Sequence, residues 1–434
     1  MAAPLELPIE LFIFISLFAL ESTPTYFRDR ASITSLNKKT RNMAIQTPEL
    51  WRRIRITSKV ASHEIGRLQL ERADPEAPLE IYYWSTDGSS VAEEKSTLEF
   101  FTQIRDRVRK LSTWQSRPDM TLGGMWKVID SYPMPLLGTL EARVSDEDDS
   151  PYLLSLKSKN PLRSLSLEGF RFHSRIEHHF KDLRRLAITI RDYYRSAVYL
   201  DEILQQAPLL EELYIRDQFP FASPENSLTL PNLRKLILYN YEGAYLERTL
   251  DRLDAPNLQH IQFPYLSSAK EQTRILTPAF PNVQHLAIHE PSVLQWLERE
   301  PSRGWLVMAE FPNITHLEIE LGQARIPLML DSDHSDLLPY SWQQLTHITA
   351  WRHPQAGAED LVPAMQDLKN FMAGMNDAHE GLPLRMLVII MDEATRQGVL
   401  DIDPECFRAL EEEVELLLLR SEREVWPFRS PPSL

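Results

Sequence analysis

From about residue 110 onward one short pattern recurs: an apolar residue, two variable positions, an apolar residue, one variable position and a third apolar residue. Its clearest copies begin with proline: Pro208-Leu-Leu-Glu-Glu-Leu-Tyr-Ile215, Pro231-Asn-Leu-Arg-Lys-Leu-Ile-Leu238, Pro256-Asn-Leu-Gln-His-Ile-Gln-Phe263, Pro281-Asn-Val-Gln-His-Leu-Ala-Ile288 and Pro312-Asn-Ile-Thr-His-Leu-Glu-Ile319. Weaker copies centre on Leu111, Leu140, Leu165, Leu186, Ile348 and Leu387, so the middle apolar residues follow one another at intervals of 21 to 39 residues. The last two apolar residues of each copy lie two apart, which puts both on one side of a short strand. Helical periodicity occupies several of the intervening segments, at residues 96–108, 199–207, 245–253 and 293–300. Strand, helix and strand running in one direction predict a parallel sheet with helices outside it. Eleven such strands would make a sheet about 50 Å long. A doubly wound α/β domain would need Gly-rich strand-to-helix turns and long apolar strands; the sequence shows neither.

The two ends follow other patterns. Residues 11–20 are ten uncharged, mostly apolar positions. The preceding decapeptide carries Glu6 and Glu10 and no basic residue, where a cleaved leader wants positive charge, and ten residues are too few for a membrane-spanning helix. A helix is the reading preferred for them, apolar on nearly all sides and so in need of burial on all sides. Ile33, Leu36, Thr40, Met43 and Ala44 approximate one face of a further helix, and Thr47 with Pro48 marks a turn before Leu50 and Trp51. Residues 5–56 thus read as a small helical unit, too short to be stable alone. Residues 57–400 hold the repeats. Residues 404–425 read as a helix with Leu416 to Leu419 inward, within a segment 401–425 that caps the open end of the array, and residues 426–434 as a loose tail.

Composition narrows the function. Apolar residues are 43% and charged residues 25% of the 434, as in ordinary globular proteins. The net charge of −15 argues against general nucleic-acid binding. Cys406 is the single cysteine, which excludes an internal disulfide framework, a cysteine-based zinc finger and an iron–sulfur cluster, and suits a reducing compartment. Against the acidic whole, residues 26–72 carry eleven Lys and Arg against four Asp and Glu. This is read first as a solvated face and second as a surface for docking an acidic partner.

The N-terminal residues resemble a known family. Leu7-Pro8-Ile9-Glu10-Leu11 with Ile15, then Leu36-Asn37-Lys38-Lys39-Thr40-Arg41-Asn42-Met43-Ala44, then Thr47-Pro48-Glu49-Leu50-Trp51, is similar to an F-box of the form common in mushroom-forming fungi. Asn37 stands where many members have Cys, and Thr40 where an aromatic is usual. The resemblance implies a helical module that binds the Skp-type adaptor of a cullin–RING ubiquitin ligase, and Leu7, Pro8, Ile9, Leu11, Ile15, Leu36 and Trp51 are carried over as its adaptor-binding residues. Trp51 would serve equally as internal core. The repeats resemble leucine-rich repeats, whose period is about 20–29 residues, and the likeness points to the helix-backed, ribonuclease-inhibitor-like type. The Asn that such repeats carry after the second strand leucine is mostly missing, and Pro-Asn precedes the strand instead.

The expected fold is therefore α/β: an all-helical F-box followed by a leucine-rich-repeat solenoid. The expected function is substrate receptor of a Skp–cullin–F-box ubiquitin ligase, non-catalytic, with no cofactor, nucleic acid or membrane as partner, in the cytoplasm or nucleus. A repeat scaffold without ligase activity, or a secreted recognition protein, are the alternatives. No phosphate loop, nucleophile elbow, zinc-protease motif or calcium loop is present in the sequence. His260, His285, His316 and His347 share one repeat position, just before the middle apolar residue, and would stack about 4.8 Å apart on the sheet. A single row of imidazoles is poor geometry for a tetrahedral metal, so no metal ligand is assigned. The row is taken as part of a target-binding face with Tyr214, Arg216, Tyr239, His289, Glu318 and Trp351, beside Glu320.

Overall fold

The computed structural model describes residues 38–85, 90–115, 129, 133–144, 152–154, 160–168, 170–172, 180–189, 200, 203–216, 228–239, 241–242, 253–263, 266–267, 280–288, 313–322, 344–352, 356–378 and 384–420. The protein is α/β, with a long run of parallel strands and several helices. It divides into two compact units, residues 1–183 with 427–434 and residues 184–426. Among the described residues, no helix is long and apolar enough to cross a membrane.

The first unit opens with helix α1 (Lys38–Ile45) and a single 3-10 turn, Pro48–Trp51. The chain then enters strand β1 (Arg53–Thr57), followed by α2 (Val60–Arg72), β2 (Leu79–Ser85), α3 (Val91–Ile104), β3 (Val108–Gln115), β4 (Thr139–Val144) and β5 (Ser164–Glu168). The five strands pair in chain order, all parallel. β1 and β2 precede the first expected strand. Residues 53–56, expected to be helical, belong to this sheet: Arg-Ile-Arg-Ile-Thr alternates, Ile54 and Ile56 are fully buried, and the backbone of β1 is paired by β2.

Helices α2 and α3 cover the inward rows. Ser90 caps α3 with a reciprocal bond to Glu93, the Glu93 amide donating to Ser90 Oγ at 3.3 Å and the Ser90 amide to Glu93 Oε2 at 2.7 Å. Between the helices lies His63, fully buried, its Nδ1 2.8 Å from Ser96 Oγ and its ring 5.7 Å from that of Phe100. Burial holds its pKa below the usual imidazole value, with the Arg67 charge adding to the effect, so the side chain is a neutral, satisfied core group. Gly66 lets α2 approach the sheet: a Cβ there would stand 2.9 Å from both Ile56 Cγ2 and Phe100 Cε2.

The second unit is built from β6 (Arg185–Thr189), β7 (Glu212–Arg216), β8 (Lys235–Tyr239), β9 (His260–Phe263), β10 (His285–Ile288), β11 (His316–Leu321), β12 (His347–Arg352), β13 (Met386–Ile390) and β14 (Leu416–Arg420). These nine also pair in chain order and in parallel. The register repeats without slippage. Leu186, Leu213, Leu236, Ile261, Leu286, Leu317, Ile348 and Leu387 form one buried row, from one matched position to the next.

Strands β6 to β10 are each entered through a tight turn. In Leu230-Pro231-Asn232-Leu233 the Leu233 amide donates to the Leu230 carbonyl at 3.1 Å, with proline at the position whose φ it presets. The asparagine then bonds to the neighbouring repeat. Asn232, Asn257, Asn282 and Asn313 each donate from Nδ2 to the carbonyl of Pro208, Pro231, Pro256 and Pro281 respectively, at 2.7–2.8 Å. The displaced Pro-Asn of the sequence is thus an asparagine ladder at the strand entrances.

Helix α4 (Ala358–Ala378) joins β12 to β13 and buries Leu361, Ala364, Met365, Leu368, Phe371, Met372 and Met375, one stripe at helical spacing. After β13 come α5 (Glu393–Ile402) and α6 (Cys406–Glu411). The helix expected over residues 404–425 is corrected: it stops at Glu411, and Leu416 to Arg420 pair with β13 as the last strand. Four consecutive leucines suit either element, and the open edge of β13 decides between them. Cys406 fixes α6 on α4, its Sγ 3.3 Å from Met365 Sδ, and burial followed by the Asp403 charge pushes its thiol up to about 11.

Two outcomes are expected. Gly66→Ala should cost about 1–3 kcal/mol through overpacking, despite alanine's better helix propensity; an unchanged denaturation midpoint would contradict the close approach of α2. Asn282→Ala should lower stability by about 1 kcal/mol in chemical denaturation, whereas an unchanged midpoint would mean that the ladder contributes nothing.

Candidate functional site

Alternate residues of each strand in the second unit point away from the apolar row, and the constant register sorts them into three polar rows. The first runs Arg185, Glu212, Lys235, His260, His285, His316 and His347. The second runs Ala187, Tyr214, Ile237, Gln262, Ala287, Glu318 and Thr349. The third brings Thr189, Arg216 and Tyr239 into one register, and separately Glu320, Trp351 and Ile390.

Neighbours in such a row are too close to carry like charges without cost. The first row obeys this. Arg185, Glu212 and Lys235 alternate in sign, and Arg185 Nε lies 3.6 Å from Glu212 Oε2. Tyr214 donates its hydroxyl to the same oxygen at 2.7 Å, with the Arg185 guanidinium 4.9 Å and the Lys235 ammonium 5.8 Å from its ring centre. Burial and the bond to Glu212 raise the Tyr214 pKa above its ordinary value.

Four imidazoles follow. Their ring centres are 3.9 Å apart for His260 and His285, 4.1 Å for His285 and His316, and 6.0 Å for His316 and His347. Burial, the neighbouring His285 and Lys235 push His260 down to about 3. Burial and His285 push His316 down to about 4. Each of the middle histidines leans to the next strand: His285 Nε2 lies 3.1 Å from Glu318 Oε2 and His316 Nε2 2.8 Å from Thr349 Oγ1. His347 Nδ1 lies 2.7 Å from Thr346 Oγ1.

The second row is sunk beneath the first. Tyr214 is 5% exposed, Gln262 3% and Glu318 9%. Buried polar groups at such depth need partners, and one left without costs about 1–3 kcal/mol. Among the described residues, His260 Nε2 and Gln262 Nε2 have none.

The expected target-binding residues therefore fall into three groups. His260, His285, His316 and His347 stack as expected, and Arg216 and Trp351 lie on the same face, both partly exposed. Tyr214 and Glu318 lie on that face but are buried, so they act as its floor. Tyr239 ends β8 in register with Arg216, while its side chain and all of His289 lie outside the described residues. Of the adaptor-binding set, Leu7, Pro8, Ile9, Leu11, Ile15 and Leu36 also lie outside them. Trp51 is buried, its Nε1 donating to the Ala44 carbonyl at 2.8 Å and its ring covered by the Arg72 guanidinium at 4.7 Å.

The first unit carries a second polar face that the repeat pattern did not reveal. Arg53, Glu80 and Lys110 share one row; Arg55, Tyr82, Ser112 and Glu141 the next; Trp84, Trp114, Arg143 and Glu168 the third. Glu80 accepts from Arg53 Nε at 3.0 Å and Arg109 Nη2 at 2.6 Å. Burial works against its ionised form, but these two cations hold its pKa below the usual carboxylate value. The Arg55 guanidinium lies 4.4 Å from the Trp84 ring centre, and Lys110 Nζ lies 2.7 Å from Glu141 Oε1. Aromatic rings beside cations are the side chains that recognition surfaces favour. The alternation in residues 53–57 was the available signal; neither strand carries the Pro-Asn lead-in of the later repeats.

The fold and face define a parallel α/β repeat array with ladder-like polar rows. A comparison with models of known protein families found no match, and one with curated proteins found no significant relative.

The depressed histidines make acid sensitivity testable. Unfolding restores an imidazole pKa of about 6.5, so below that pH the unfolded chain binds protons that the folded one refuses. The stability contributed by His260 and His316 is full above about pH 6.5 and is lost as pH falls toward their folded values. The thermal midpoint should fall between pH 7 and pH 5, and less steeply in His260→Gln; parallel curves for the two proteins would contradict the assignment.

Proposed function

We propose that the chain is a binding protein that presents polar ladder faces to a target protein, and that it serves as a substrate receptor of a Skp–cullin–F-box ubiquitin ligase. The observation that carries the binding reading is the unbroken register of the second unit. It aligns His260, His285, His316 and His347 into one continuous row, with Arg216 and Trp351 on the same face. The similarity to leucine-rich repeats of the helix-backed kind supports it, since their sheet faces commonly bind proteins. The ligase reading rests on the F-box resemblance across residues 7–51. It is supported by the short helix α1 and the turn at Pro48–Trp51, which lead straight into the first strand.

The mechanism on this reading is proximity. An N-terminal helical module holds the adaptor, and through it a cullin. A ladder face holds the target, so that ubiquitin transfer becomes effectively intramolecular. The protein itself supplies no reacting group, and its place is the cytoplasm or nucleus. Leu7, Pro8, Ile9, Leu11, Ile15 and Leu36 supply the adaptor contacts. Trp51, with its indole N–H bonded internally, supports the module from within.

Full-length protein carrying Leu7→Ala and Pro8→Ala should lose co-purification with a Skp-type adaptor while keeping the thermal transition of the repeats. Adaptor binding equal to that of the unaltered chain would reject the ligase reading and leave a repeat scaffold.

A further inference from the structure

The polar ladder contains a place where its chemistry changes from a row to a cluster. His285 and His316 face one another at 4.1 Å between ring centres, and Glu318, two residues beyond His316, brings a carboxylate oxygen 3.1 Å from His285 Nε2. One ligand atom from each of the three lies within 4.8 Å of the others. We propose that His285, His316 and Glu318 form a binding site for one divalent cation of the zinc class.

Geometry and donor chemistry together carry this. A row of imidazoles alone offers donors along a line, which suits no tetrahedral ion; the Glu318 carboxylate lies off that line and turns three donors into a triangle. The separation of His285 Nε2 and Glu318 Oε2 is already close to the roughly 3.3 Å that two ligands keep around a tetrahedral zinc. The third ligand atom, on His316, lies within 4.8 Å of the other two, within reach of a side-chain rotation. The residue between Gln262 and Glu318 in the second row is Ala287, whose side chain is only a methyl. The surroundings are polar: Thr349 Oγ1 stands 2.8 Å from His316 Nε2, and the buried His260 Nε2, in the ring stacked on His285 at 3.9 Å, has no partner among the described residues. Two nitrogens and one oxygen leave a fourth position of a tetrahedral ion for water. The donor set of two imidazoles and a carboxylate is one that zinc accepts and that calcium and magnesium do not prefer. This site is independent of the adaptor reading, because it involves no residue before His260.

The test uses the full chain, stripped with a chelator and titrated with zinc(II) in a calorimeter, with cobalt(II) absorption as a spectroscopic report. The expected result is one tight equivalent per chain and an intense, tetrahedral-type cobalt spectrum. His285→Gln, His316→Gln and Glu318→Gln should each weaken that equivalent by more than about 100-fold, beyond the loss that an outer-shell partner causes. His347→Gln, outside the triangle, should change it little, which separates the site from incidental binding by the chain's twelve histidines. Circular dichroism verifies folding of each variant; should a histidine variant not fold, Glu318→Gln, which keeps the side-chain volume, decides. Tight binding that survives Glu318→Gln, a cobalt spectrum of an octahedral aqua type in the unaltered chain, or no tight equivalent at all would overturn the proposal.

Discussion

The second unit depends on in-register parallel pairing between one repeat and the next. Each backbone strand bonds to the next at equivalent positions, so every side chain meets its counterpart about 4.8 Å away. Apolar counterparts then build a core row such as Leu213, Leu236, Ile261 and Leu286 without further specification. A slip of one residue would turn that row to the polar side. The proline-led turn and the asparagine ladder guard against this: each asparagine is held by the carbonyl of the preceding repeat's proline, which ties strand entrances together before the sheet begins.

The same constraint governs the polar face. Neighbouring counterparts along a ladder cannot carry like charges without cost. The first row resolves this by alternating Arg185, Glu212 and Lys235, and then by four histidines, whose side chain is a weak base with an ordinary pKa near 6.5. Burial of His260 and His316 themselves, with the His285 charge beside them, favours their neutral forms. In the first unit the solution is different: Glu80 sits between Arg53 and Arg109, and Lys110 pairs with Glu141, so opposite charges interleave across strands.

The middle repeats were readable because a proline, followed by asparagine from Pro231 onward, and three apolar residues at fixed offsets mark each strand from Leu213 to Ile319. The stacking of His260, His285, His316 and His347 followed from the same offsets. Strands β1 and β2 were missed for want of that lead-in, and with them the face of Arg55, Tyr82, Trp84 and Trp114. Leu416 to Leu419 misled because an uninterrupted apolar run has neither helical nor strand periodicity, and only the unpaired edge of β13 selects the strand.

Periodicity along the chain determined which residues form strands, which of their sides is apolar, and which positions recur from repeat to repeat, because these are properties of spacing within a few residues. Depth and convergence were decided by the tertiary structure alone. Tyr214 and Glu318 occupy outward positions by alternation, yet the packed rows bury them. Glu318 comes to lie against His285, one strand away and two residues out of step, because side chains lean diagonally across a parallel ladder. Such a meeting depends on rotamers and on the small volume of Ala287 between the strands' longer residues, and no spacing rule along the sequence encodes either.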